Sequence, residues 1–190
     1  RDVLGSRGLG DVYKRQAMPD PTVIKAADGY FYVYATESTR NVPIMKSKDL
    51  VQWTYCNTAF TNKTRPRFEP KAGIWAPDIN YINNKYVLYY AMSVWGGEQT
   101  CGIGVATADS PQGPFTDHGK MFRSNEIGVQ NSIDPSFLQY EGRNYLVWGS
   151  FRGIYVIELT EDGLSLKPGA EKKRICLLYT SPSPRDPKTS

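Results

Sequence analysis

Asp28-Gly29-Tyr30-Phe31-Tyr32-Val33-Tyr34-Ala35-Thr36 decides the fold. A turn dipeptide followed by alternating aromatic and β-branched residues reads as the start of an antiparallel strand. The same phrase recurs twice. Asn83-Asn84 leads to Leu88-Tyr89-Tyr90-Ala91-Met92-Ser93, and Glu141-Gly142 leads to Leu146-Val147-Trp148-Gly149-Ser150. Matched on their aromatics, Tyr34, Tyr90 and Trp148 recur at intervals of 56 and 58 residues. A supersecondary unit at that period signals a solenoid or a propeller. Units made of strands alone favour the propeller, whose blades each place one strand around a central axis.

The 190-residue chain carries Lys+Arg 23 against Asp+Glu 19, a formal net charge of +4. Its two ends stand apart from the repeat. Residues 6–16 (SRGLGDVYKRQ) and 176–186 (CLLYTSPSPRD) can be translated from one DNA segment and its reverse complement: GAT GTG TAT AAG AGA CAG encodes Asp11-Val12-Tyr13-Lys14-Arg15-Gln16. Such a pair resembles a sequencing adapter translated on both sides of a gene fragment, the alternative being a basic arm and a Pro/Ser-rich tail. On the adapter reading, 1–16 and 176–190 are non-native flanks and 17–175 is the protein. The flanks hold six of the basic and three of the acidic residues, so the interior is nearly neutral. The alkaline balance then no longer points to nucleic acid or an anionic membrane. The Gly5, Gly8, Gly10 run precedes no helix and is not a phosphate loop. No run approaches the ~20 apolar residues of a membrane span. Cys56 and Cys101 read either as a disulfide in an exported protein or as separate, inert thiols.

Between the flanks, apolar spacing is mostly two and Pro or Gly punctuates every short segment, as in strands joined by turns. Strands are predicted near 22–25, 30–36, 44–47, 53–55, 79–82, 86–93, 102–108, around Phe115, 136–140, 144–150 and 154–159. Tyr32, Tyr34, Tyr86, Tyr90 and Tyr145 are predicted to pack between blades. The fold expected is all-β, a partial propeller with about three blades present. Pro19-Asp20-Pro21, Pro77-Asp78 and Ile133-Asp134-Pro135 each introduce the first strand of a unit. Asp before Pro is ordinary turn chemistry. Repeated at the start of successive blades, it converges carboxylates on one axial face, and clustered carboxylates beside aromatics suit glycoside hydrolysis.

MPDPTV (18–23), GIWAPDINY (73–81), NSIDPSF (131–137) and YLVWGSFRGI (145–154), in this order and spacing, resemble glycoside hydrolase family 43. GIWAPDI and IGVATADSPQGPFTDHG (103–119) are similar to its arabinan endo-1,5-α-L-arabinanase branch. The resemblance implies a five-bladed propeller and an inverting mechanism. Asp20 would be the general base and Asp134 the carboxylate that orients the acid and tunes its pKa. The family's general acid is a Glu in a later motif absent from 17–175, so this stretch by itself would be inactive. Arabinan, or a related plant-wall pentose oligosaccharide, is the implied partner, with a secreted or periplasmic setting inferred from it. A β-xylosidase, an exo-α-L-arabinofuranosidase and a non-catalytic glycan-binding propeller remain as alternatives.

Trp75 and Trp95 stand where that branch places stacking aromatics; core packing and the covering of a blade end are the competing roles. Asn131, Ser150 and Phe151 are further candidate substrate contacts, whereas Asp78 is expected to cap backbone donors. No cofactor and no metal are predicted on these residues, although relatives often hold a channel calcium through a later histidine. The single histidine, His118, and the Lys172-Lys173-Arg174 cluster are both read as turns.

Overall fold

A computed structural model describes residues 17–176. The adapter-like flanks therefore lie outside the described residues, apart from Cys176. Three four-stranded antiparallel sheets follow one another along the chain. The first comprises β1 (Thr22–Lys25), β2 (Phe31–Tyr34), β3 (Pro43–Ser47) and β4 (Thr54–Thr58). The second holds β5 (Gly73–Ile82), β6 (Lys85–Ser93), β7 (Gly102–Ala108) and β8 (Thr116–Arg123). A single helical turn, α1 (Ser124–Ile127), precedes the third, made of β9 (Ser136–Tyr140), β10 (Arg143–Ser150), β11 (Gly153–Glu158) and β12 (Lys173–Cys176). Strands run in sequential order within each sheet, and the first strands β1, β5 and β9 contact one another in series. These are propeller blades with their innermost strands on the axis.

The hairpins carry their predicted turn chemistry. Asn83 and Asn84 have φ of 48° and 63°, and Glu141 and Gly142 have 49° and 72°, as a two-residue primed turn demands. Asp28 Oδ1 accepts the Tyr30 N–H at 3.0 Å, closing the first turn with a side chain. Such turns set register, and here they correct the aromatic ladder. Thr22 pairs with Tyr34, Asp78 with Tyr89, and Ser136 with Val147. The equivalent of Tyr34 is thus Tyr89, one residue away from Tyr90. The one-residue difference puts the side chains on opposite faces. Tyr34 reaches forward and donates to the Pro111 carbonyl of the second blade, and Tyr89 reaches forward to the Gly163 carbonyl of the third, at 2.8 Å. Tyr90 and Trp148 each face the blade before them.

Two cores result, one in each gap between blades. Tyr32, Tyr34, Ile44, Phe60, Ile74, Leu88, Tyr90 and Phe115 fill the first. Val87, Tyr89, Ile103, Phe122, Leu146, Trp148 and Ile157 fill the second. The tyrosines expected between blades mostly lie there; Tyr145 is half-buried on the far face of the third sheet.

Two turns predicted from sequence are strands. His118 lies in β8, its Nε2 2.7 Å from the Thr107 hydroxyl across the ladder. Lys173 and Arg174 lie in β12, paired with Val156 and Tyr155, because a fourth edge strand completes the third sheet. Cys56, Cys101 and Cys176 are free thiols. Among the described residues no helix is long and apolar enough to cross a membrane.

Candidate active site

The chain segments leading into β1 and β9 and the first half of β5 meet at one end of the axis. Each contains a residue before proline held at positive φ: Asp20 at 49°, Ala76 at 40° and Asp134 at 54°. Pro disfavours the helical region for its predecessor, and a non-glycine residue at positive φ is strained. Such strain concentrates where a fold must aim a side chain. Asp20 and Asp134 occupy equivalent corners, each two residues before the first ladder pair. Asp78 does not belong to this set; the corner of the second blade is Ala76, and a bulge between Trp75 and Asp78 carries Asp78 past it. Asp78 is instead a brace between blades. Its Oδ2 accepts the Phe137 N–H of the third blade at 2.7 Å and the Asn80 side-chain amide at 2.8 Å. Burial raises its carboxyl above the ordinary range, against the lowering effect of those donors.

Asp20 and Asp134 line one cavity of about 800 Å³. Trp75, Trp95, Asn131, Ser150 and Phe151 line it too, so the sequence-predicted catalytic and substrate-contact residues are brought together there, while Asp78 is not among them. Surrounding protein raises the Asp134 carboxyl first by desolvation and second through the negative charge of Asp20. Asp20 accepts a hydrogen bond at Oδ2 from the Thr36 hydroxyl, at 2.6 Å.

The aromatic wall is built from one strand and two loops. Trp75 is half-buried: one side packs against the second core and the other faces the cavity. Gly73 makes room for it, since a Cβ there would lie 2.5 Å from the Trp75 Nε1. Trp95 is 95% exposed in the β6–β7 loop, so it does not cover a blade end. The two indole rings sit 5.6 Å apart, tilted by 52°. Phe151, in the β10–β11 turn, is exposed, and the Arg152 guanidinium lies 5.0 Å over its ring. Flat apolar faces of this kind suit the C–H faces of a sugar, with polar groups around them for its hydroxyls.

Asn131 is mainly a brace. Its N–H donates to the Glu98 carbonyl at 2.7 Å, and its amide donates to the Ser150 hydroxyl at 2.9 Å. Sequence reasoning missed Thr36, Glu37 and Glu98, which also line the cavity. Glu37 is paired with Arg65, both side chains being nearly buried at 9% and 8% exposure, and it accepts the Ile74 N–H at 2.9 Å. Glu98 pairs with Arg152 at 3.2 Å and accepts from Gln130. Only the hydroxyl that ends the first rung hinted at Thr36; the two glutamates carried no local signal. Among the described residues no group of three or more His, Cys, Asp or Glu is gathered to hold a metal ion.

Sheets stacked around an axis, delivering carboxylates and indoles to one hollow, define a β-propeller with its candidate site on the axis. The sequence profile of glycosyl hydrolases family 43 matches residues 12–180, and the chain belongs to that family. It is 35% identical over 162 residues to the extracellular endo-α-(1→5)-L-arabinanase 1 of Bacillus subtilis, covering 80% of this chain and 49% of that protein. A solved Bacillus subtilis arabinanase superposes with a TM-score of 0.71 at 31% identity, covering 82% of this chain and 56% of that one. A Cellvibrio cellulosa α-L-arabinanase complexed with arabinohexaose gives 0.71 at 27% identity, covering 83% and 52%. The chain spans about half the length of the curated relatives it matches.

Proposed function

We propose that the protein carrying this chain is an inverting glycoside hydrolase acting on α-1,5-linked L-arabinan or its oligosaccharides. The observation that carries this reading is the convergence of Asp20, Asp134 and three aromatic side chains on one cavity. Asp20 is the general base. It takes a proton from a water as the water oxygen bonds to the anomeric carbon on the face opposite the leaving group. Asp134 is the carboxylate whose negative charge keeps the general acid protonated until the glycosidic oxygen needs its proton. Trp75, Trp95 and Phe151 stack on the sugar rings, and Ser150, braced by Asn131, is a hydroxyl contact.

The acid itself is not assigned to Glu37 or Glu98, because each is committed to an arginine. By itself the chain is therefore expected not to turn over substrate. His118 is not among the residues lining the cavity and faces Thr107 across the ladder, so it is not assigned as a ligand of the channel calcium associated with the family. The Bacillus subtilis relative is named extracellular, which supports a secreted setting. Residues 17–175 are read as the native part of the chain, and the genomic sequence on either side tests that assignment.

Assaying the complete gene product on linear 1,5-arabinan and on 4-nitrophenyl β-xyloside tests the function. Cleavage of arabinan with anomeric inversion, followed by NMR, is the expected result. Asp20→Asn should lower kcat by about 10²–10⁴-fold, the usual contribution of a general base. Hydrolysis of the xyloside alone, or binding of arabinan with no hydrolysis at all, would overturn the reading.

A further inference from the structure

We infer that Thr36 is a positioning residue that makes two otherwise equivalent aspartates chemically different, reserving Asp20 as the proton acceptor. The inference rests on the proposed role of Asp20. The local backbones of the first and third blades match closely. Thr36 donates its N–H to the Pro19 carbonyl, and Gly149 donates its N–H to the Ile133 carbonyl, each at 2.9 Å and each just before the aspartate. Thr36 and Gly149 therefore hold the same place opposite Asp20 and Asp134. In the second blade Ala91 holds it, paired with Trp75 and opposite the Ala76 corner.

Only the first blade combines a carboxylate with a hydroxyl. The third blade has no room for one: Gly149 has φ of 139°, and a Cβ there would meet the Gly153 carbonyl oxygen at 2.1 Å. The direction of the Thr36 hydrogen bond follows from proton counting. The Ala76 N–H, which can only donate, lies 2.6 Å from Thr36 Oγ1. The hydroxyl thus accepts from Ala76, and its single proton goes to Asp20 Oδ2. With Oδ2 occupied by Thr36, which is itself tied to the neighbouring blade through the Ala76 N–H, Oδ1 is the oxygen left to take a proton from water. Other charged groups on the cavity are Asp134, which is raised by burial and by Asp20, and the arginine-paired Glu37 and Glu98.

The test uses the complete protein with Thr36→Val, which keeps the shape and loses the hydroxyl, and Thr36→Ser, which restores it. Thr36→Ala replaces the valine variant if that variant does not fold. We expect the valine variant to lose about 10–100-fold in kcat, as for a lost hydrogen bond to a charged group, with KM for arabino-oligosaccharide little changed. The serine variant should return to within about threefold of the parent. A valine variant with the parent's kcat, a loss that appears in KM instead of kcat, or equal losses in valine and serine, would overturn the inference. Asp20→Asn separates the two readings. If it is inactive while Thr36→Val is unaffected, only the role of Thr36 fails; if it remains active, the assignment of Asp20 as base fails.

Discussion

Asp20 and Asp134 share a backbone corner but not an environment, and the titration of Asp134 follows from its own. Asp134 is partly desolvated by the cavity wall and faces a like charge, so its folded-state pKa lies above the ordinary 3.8. The native state then holds a proton that the unfolded chain releases in the interval above that value. Stability is full on the acid side and falls as pH climbs through the raised pKa. Asp134→Asn removes the penalty. In the complete protein we expect a higher unfolding midpoint for this variant at pH 7 and an unchanged one at pH 3, together with loss of activity. Such a gain in stability on removing a functional charge is the usual trade-off at a site built against local preference. A variant that unfolds earlier at pH 7 would show that Asp134 makes stabilising contacts in the whole protein.

At the scale of the strand, β5 shows how a sequence motif becomes a cavity wall. Its Gly73-Ile74-Trp75 start works as a unit. Ile74 is buried in the first core, Gly73 leaves space, and the Trp75 ring lies across that space toward the cavity. Gly73→Ala would force the indole to move, because the added Cβ would fall within contact distance of Nε1. We expect KM for arabino-oligosaccharide to rise by about 5–30-fold, the equivalent of ~1–2 kcal/mol of lost stacking. The near-ultraviolet circular dichroism of the Trp75–Trp95 pair should change in parallel. An unaltered KM would remove Trp75 from the substrate-binding surface and return it to the core.

At the scale of the whole molecule, blades are joined by a repeated polar stitch as well as by apolar cores. The Ile79 N–H of the second blade donates to the Thr22 hydroxyl of the first at 3.3 Å, and the Phe137 N–H of the third donates to Asp78 of the second at 2.7 Å. Thr22 and Asp78 are equivalent positions, and Ser136 is the next in the series. The shorter bond, to a carboxylate, is the stronger one. Asp78→Ala should cost about 1–3 kcal/mol by leaving the Phe137 N–H without an acceptor, and Asp78→Asn less, since its amide oxygen still accepts. The urea midpoint of the complete protein measures both. Equal midpoints for the two variants would mean that the apolar cores alone hold the blades together.

Much of this architecture was legible in the chain. Asp28-Gly29, Asn83-Asn84 and Glu141-Gly142 marked the hairpins, period-two aromatics marked the strands, and the unit length marked the blades. The Asp-Pro corners and the Trp75, Trp95 and Phe151 positions could be picked out as well, because each is a local motif. The register error between Tyr34 and Tyr90 arose from matching side chains by type. Counting from the turns gives Tyr89, since hydrogen-bond pairing starts at the turn and is indifferent to which residue is aromatic. Local chemistry in the chain thus determines turns, strands and repeats, which depend on neighbours a few residues apart. Only the tertiary structure decided that Asp78 stitches blades, that Glu37 and Glu98 are taken by arginines, and that Thr36 reaches Asp20. Those facts are contacts between distant segments, and they exist only once the sheets have packed around a common axis.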